Sequence, residues 1–128
     1  MVTASATGTG TPPRPRLLLV EDEEIIRRIV VRALPEYDVI EKEDAEGALD
    51  AMVANPADLV ITDIVLPHMD GCAMTARIRD RWPGVSVIAI SGHVGDRDVE
   101  EFGFDGFLNK PIDLKSLRGT VASLLQQT

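Results

Sequence analysis

At 128 residues the chain has the length of one compact domain and leaves no room for a second folded unit beside it. Its 45% hydrophobic and 27% charged residues suit a core-forming globular protein, while a formal net charge of -8 weighs against direct nucleic-acid binding, which needs clustered Lys and Arg. Cys72 is the only cysteine, so no internal disulfide can form; with no signal peptide and no apolar run of membrane length, a cytoplasmic protein without membrane association is expected.

Residues 1–15 are mostly Thr, Gly, Ala, Ser and Pro, too poor in apolar side chains to offset the entropy of ordering, and they read as a flexible tail before a domain over 16–128. Short apolar runs then alternate with amphipathic segments. Strands are predicted at Leu17 to Val20, Asp38 to Glu41, Leu59 to Thr62, Val85 to Ile90 and Gly106 to Leu108. The first, third and fourth are almost unbroken Leu, Val and Ile, as befits central strands buried on both faces, whereas the alternating second suits an edge.

Between the strands, Ile25, Ile26, Ile29, Val30, Ala33 and Leu34 recur at helical spacing until Pro35 bars continuation. A second helix carries Ala48, Leu49, Met52 and Val53 and ends near Asn55-Pro56; a third carries Met74 and Ile78 and stops at Trp82-Pro83. Asp96 to Phe102 has only a thin apolar face and predicts a short, irregular fourth helix, and Leu114, Leu117, Val121, Leu124 and Leu125 line the last, with Asp113 or a neighbour at its start. Five such alternations, wound by right-handed crossovers, predict an α/β domain: a parallel five-stranded sheet with helices on both faces.

In open parallel sheets, chemistry gathers beyond the carboxyl ends of the strands. There the chain places Glu21, Asp22, Glu23 and Glu24 after strand one, Asp63 after strand three, Ser91 after strand four and Lys110 after strand five. Carboxylates brought this close repel by roughly 4 kcal/mol per pair at an effective dielectric near 20, so they call for a cation. Hard oxygen donors favour Mg²⁺ (or Mn²⁺), which also takes phosphate oxygens. Taken singly, the first acids read as a helix cap, Ser91 as a loop hydroxyl and Lys110 as a solvated turn residue. Their common location at strand ends is what joins them.

The stretches Leu17-Leu18-Leu19-Val20-Glu21-Asp22-Glu23, Leu59 to Pro67 with Met69-Asp70-Gly71, Ile88-Ala89-Ile90-Ser91-Gly92 and Phe107-Leu108-Asn109-Lys110-Pro111 together resemble the receiver domains of bacterial two-component response regulators. The resemblance covers nearly everything after the tail. It implies a flavodoxin-like, doubly wound sheet of order 2-1-3-4-5. It also implies a phosphorylated signalling domain rather than an enzyme, with Asp63 as phosphoacceptor, Glu21 and Asp22 as the acidic metal pair, and the main-chain carbonyl of Val65 as a further ligand. Ser91 would bond a phosphoryl oxygen and Lys110 would pair with its charge. The implied Lys110-Pro111 step usually contains a cis peptide.

Carried further, the resemblance makes Ser91 and Phe107 the switch pair, with Phe107 reading equally well as a plain core aromatic, Gly92 the small residue that keeps the acceptor accessible, and His93 a position that tunes dephosphorylation. The implied partners are a histidine kinase or histidine phosphotransfer protein, a downstream protein or output domain, and a second copy in a homodimer. The stretch from Ser91 to Lys110 is a few residues shorter than usual in the family, which puts the usual signalling face in question. His68 and His93 read as exposed loop histidines rather than metal ligands. An aspartyl-phosphate phosphatase would need a second Asp two residues past Asp63, where this chain has Val65. A receiver that only binds partners, without phosphorylation, is opposed by the complete set of site residues.

Overall fold

Leu17, Leu18, Leu19 and Val20 are each 2% exposed or less, so the first strand is covered on both faces and must lie inside a sheet flanked by helices. The computed structural model of the protein describes residues 14–92 and 103–126, and within these the chain runs β1 (Arg16–Val20), α1 (Glu24–Ala33), β2 (Asp38–Lys42), α2 (Ala45–Ala54), β3 (Leu59–Asp63), α3 (Gly71–Arg81), β4 (Ser86–Ser91), β5 (Gly106–Asn109) and α4 (Leu114–Leu125). All four strand pairings are parallel, in the order β2-β1-β3-β4-β5. This is the flavodoxin-like order expected of the sequence, with the half-exposed β2 at an edge.

Alternation along the strands sorts the core into two layers. Leu18, Val20, Val60, Val87 and Ala89 face one way, against Ala48 and Met52 of α2 and Met74 and Ile78 of α3. Leu17, Leu19, Leu59, Ile61, Ile88, Ile90 and Leu108 face the other way, against Val30 of α1 and Leu117, Val121 and Leu124 of α4.

Helix ends follow ordinary capping chemistry. Asp44, Asp70 and Asp113 precede α2, α3 and α4, and their side chains accept from the N–H groups of Gly47, Ala73 and Lys115. The apolar stripe of α1 is narrower than its sequence suggests: Ile25 is 74% and Ile29 44% exposed, because only Val30 and its partly buried neighbours reach the sheet.

Strand ends also run slightly past the apolar runs. Asp63 pairs with Ile90 and Ser91 with Asn109, so both polar residues belong to the ladder. At the opposite end, the Pro15 carbonyl accepts from Asp38 N–H, and the Arg14 guanidinium reaches the carbonyls of Pro35, Glu36 and Tyr37, tying these two residues of the expected tail to the domain. The rest of the tail and the expected helix at Asp96 to Phe102 lie outside the described residues.

Candidate functional site

The α1 and α4 layer continues beyond the apolar rows without a change of face. Leu17 and Leu19 are followed at the same spacing by Glu21, Leu59 and Ile61 by Asp63, and Leu108 by Lys110. Since Leu19 pairs with Ile61 and Val20 with Thr62, the next row of the ladder sets Glu21 beside Asp63. Register alone thus brings together residues 42 or more positions apart in the chain.

Asp63 is 5% exposed. Its Oδ1 accepts from the Val65 N–H at 3.0 Å and its Oδ2 from Lys110 Nζ at 2.6 Å. The same ammonium lies 3.2 Å from Glu21 Oε1 and 3.6 Å from Glu23 Oε1. Burial alone would lower the Lys110 pKa, but the Asp63 hydrogen bond and the charges of Glu21 and Asp63 outweigh it and hold the ammonium above its ordinary range. Lys110 is therefore a fixed positive charge at neutral pH. The Lys110-Pro111 peptide is cis.

Glu21 is fully buried. One carboxylate oxygen accepts from Glu23 N–H at 3.0 Å, and its own carbonyl accepts from Arg27 Nη1 at 2.8 Å. Glu21 Oε1 is ion-paired with Lys110 Nζ but has no hydrogen-bond partner among the described residues. Burial pushes the Glu21 pKa up to about 7; the Glu23 N–H opposes this, the neighbouring Asp63 charge adds to it, and Lys110 offsets part of it.

Carboxylate oxygens of Glu21, Asp22 and Asp63 all lie within 4.8 Å of one another. The donor set suits a hard divalent cation such as Mg²⁺: three clustered carboxylates, one with a buried oxygen that makes no hydrogen bond among the described residues. As for the helix-cap alternative, the residue capping α1 is Glu23, whose side chain makes no capping bond.

Asp22, Glu23, Asp63, Val65, Ser91, Gly92 and Lys110 line one open cleft of about 440 Å³. Ser91 is 3% exposed at the end of β4, and its carbonyl accepts from Lys110 N–H. At Gly92 an added Cβ would meet no atom of the described residues within 4 Å. Of the expected site residues, Phe107 stands apart, half-buried on β5 against the α2 and α3 layer. His68 is exposed, with φ of 68°, and outside the acidic cluster. His93 falls outside the described residues.

Two residues given no role from sequence shape this site. An added Cβ on Gly71 would strike the Asp63 carbonyl oxygen and lie 3.0 Å from Ile64 Cα, so the start of α3 touches the backbone of the Asp63 turn. Gly71 N–H also donates to the Ile64 carbonyl at 2.8 Å. Arg27, besides holding the Glu21 carbonyl, lies 3.5 Å from Glu41 at the end of β2. Only the Met-Asp-Gly run hinted at the first contact, and no local signal marks the second.

Comparison with known proteins agrees with this geometry. The family described as "Response regulator receiver domain" matches residues 17–122. The chain is 36% identical over 118 residues to sensor kinase CckA of Brucella abortus, covering 87% of this chain but 12% of the kinase. It is 39% identical over 111 residues to the two-component response regulator ORR41 of Oryza sativa, covering 80% of this chain and 87% of the regulator. Among solved structures, the signal receiver domain of an HD domain-containing protein from Pseudomonas fluorescens superposes with a TM-score of 0.84 at 28% identity, covering 94% of this chain and 93% of that one.

Proposed function

The chain belongs to the response regulator receiver domain family, and from that premise we propose that it is the phosphoacceptor of a two-component phosphorelay, taking a phosphoryl group onto Asp63 from a histidine kinase or histidine phosphotransfer protein. The observation that carries this reading is the Asp63 carboxylate, held by Lys110 at 2.6 Å and by Val65 N–H, clustered with Glu21 and Asp22, and lining an open cleft.

In the proposed reaction an Asp63 oxygen forms a bond to phosphorus while the phosphorus–nitrogen bond of the donor histidine breaks, its electron pair leaving with the imidazole. Glu21, Asp22, Asp63 and the Val65 carbonyl would hold Mg²⁺ or Mn²⁺, which when bound neutralises charge on the transferring group. Lys110 supplies a permanent positive charge beside the nucleophile. Ser91, at the cleft wall, bonds a phosphoryl oxygen, and Gly92 leaves the approach clear. The domain assists its own phosphorylation and dephosphorylation without acting on a separate substrate.

Phosphorylation adds about 1.5 to 2 negative charges. Ser91 turns toward that charge and the half-buried Phe107 moves inward; lacking a hydroxyl, it reports by burial alone. The changed surface then selects a downstream protein, an output domain or a second copy. We assign residues 16–128 to this receiver unit in the cytoplasm, with Arg14 and Pro15 of the preceding segment tied to it.

The test is intact mass after incubation with acetyl phosphate and Mg²⁺. Wild type should gain one phosphoryl group, Asp63→Asn none, and removal of the metal by chelation should abolish the gain. An unlabelled wild type, or equal labelling of Asp63→Asn, defeats the proposal.

A further inference from the structure

Glu23 occupies the N-cap position of α1, yet its side chain does no capping. Instead it lines the cleft with Asp63 and Lys110, 63% exposed, its Oε1 3.6 Å from Lys110 Nζ. The adjacent Glu24 behaves differently, forming an ordinary pair with Arg28 at 2.8 Å along the helix. Glu23 is thus a fourth carboxylate at a site that already clusters Glu21, Asp22 and Asp63, two of them paired with the same ammonium.

Charge balance gives this extra carboxylate a consequence. With a divalent ion bound and Lys110 counted, Glu21, Asp22 and Asp63 alone leave the cleft neutral, and Glu23 makes it net negative. An incoming phosphoryl donor is itself an anion. It must approach this carboxylate and compete with it for Lys110.

We infer that Glu23 is a specificity-determining residue that disfavours doubly charged phosphoryl donors relative to singly charged ones. The inference rests on Asp63 being the acceptor. With a free acyl phosphate, the Asp63 oxygen bonds to phosphorus as the bond to the carboxylate leaving group breaks, its electron pair going to that group. With phosphoramidate, the phosphorus–nitrogen bond breaks and the nitrogen leaves as ammonia with the protons it already carries. The two donors differ in net charge, because the phosphoramidate ammonium leaves it with a single negative charge.

The experiment measures initial rates of mass gain for wild type, Glu23→Gln, Glu24→Gln and Asp63→Asn, with acetyl phosphate and with phosphoramidate, in saturating Mg²⁺ at low and high salt. Removing one charge at this distance should speed labelling by acetyl phosphate about three- to tenfold at low salt, with a distinctly smaller gain for phosphoramidate. Both gains should shrink near ~0.5 M salt as the charges are screened. Glu24→Gln should match wild type, and the melting temperatures of wild type, Glu23→Gln and Glu24→Gln should agree.

Equal gains with both donors, a gain insensitive to salt, or no gain would overturn the inference while leaving Asp63 as acceptor, provided wild type is labelled and Asp63→Asn is not. Slower labelling of Glu23→Gln together with weaker Mg²⁺ binding by calorimetry would make Glu23 a metal ligand and overturn it too. Labelling of Asp63→Asn at the wild-type rate would remove the premise, and the inference with it.

Discussion

Replacing Gly71 with alanine adds one methyl group where α3 meets the Asp63 turn. That carbon would overlap the Asp63 carbonyl oxygen and sit 3.0 Å from Ile64 Cα and 3.2 Å from the Asp63 carbonyl carbon. All three neighbours are backbone atoms, which cannot rotate aside as a flexible side chain would. Overpacking of this kind costs about 1–3 kcal/mol. The opposing gain in helix propensity from Gly to Ala is at most about 1 kcal/mol, and smaller at a helix start. A net loss of about 1–2 kcal/mol should lower the urea midpoint by roughly 1 M, given an m-value of about 1–3 kcal/mol/M. Because α3 can yield only by pushing on the Asp63 backbone, Mg²⁺-dependent labelling should slow as well, beyond what the unfolded fraction explains. Gly92→Ala is the control, since no described residue lies within 4 Å of its added carbon and its midpoint should not move. A Gly71→Ala protein with the wild-type midpoint and labelling rate would refute the reasoning.

Other consequences follow from the same geometry. Lys110→Met removes the ammonium between Asp63 and Glu21; the metal-free protein should lose about 1–3 kcal/mol at neutral pH, discounted for the open cleft, and a melt unchanged from wild type would contradict this. Glu21 ordinarily titrates near 4.5 but holds its proton to about 7 in the fold. The native chain therefore binds more protons than the unfolded chain within that window, and metal-free stability should fall as pH rises from about 4.5 to about 7. In the same window Mg²⁺ must displace the proton, so its Kd should rise about tenfold per unit of pH below 7; a pH-independent Kd by calorimetry would count against the acidic pair as ligands. Gly92→Val should fold normally yet block labelling by a protein donor more than by acetyl phosphate, as followed by mass. Finally, Arg79 on α3 donates to the carbonyls of Val85 and Gly103 and pairs with Asp105, which itself accepts from Val87 N–H; Arg79→Ala should cost about 1–3 kcal/mol in urea unfolding.

The order of elements and the strand-end acids were readable from sequence because strands buried on both faces leave unbroken runs such as Leu17 to Val20 and Leu59 to Ile61. Strand ends were less readable. Asp63 and Ser91 look like loop residues because their ladder partners, Ile90 and Asn109, are distant in the chain. Helical spacing in α1 suggested burial for Ile25 and Ile29, but spacing does not reveal how wide a face the sheet covers, and both are exposed. The contacts of Gly71 with the Asp63 backbone, of Arg27 with the Glu21 carbonyl and of Glu23 with Lys110 depend on three-dimensional approach, which no local pattern encodes. Asp44, Asp70 and Asp113 do carry a local signal, and of these the sequence places a helix start at Asp113 or a neighbour.

The two-residue repeat that stacks Leu17, Leu19 and Glu21, and likewise Leu59, Ile61 and Asp63, makes core side chains and clustered carboxylates share one reading frame. A single residue inserted within β3 would turn the following aliphatic side chains toward the wrong helices and swing Asp63 away from its lysine in the same stroke. An insertion between the exposed Asn55 and Pro56 would disturb neither. Loss of folding and loss of reactivity should therefore be inseparable for length changes inside the central strands, and separable in the loops that join them.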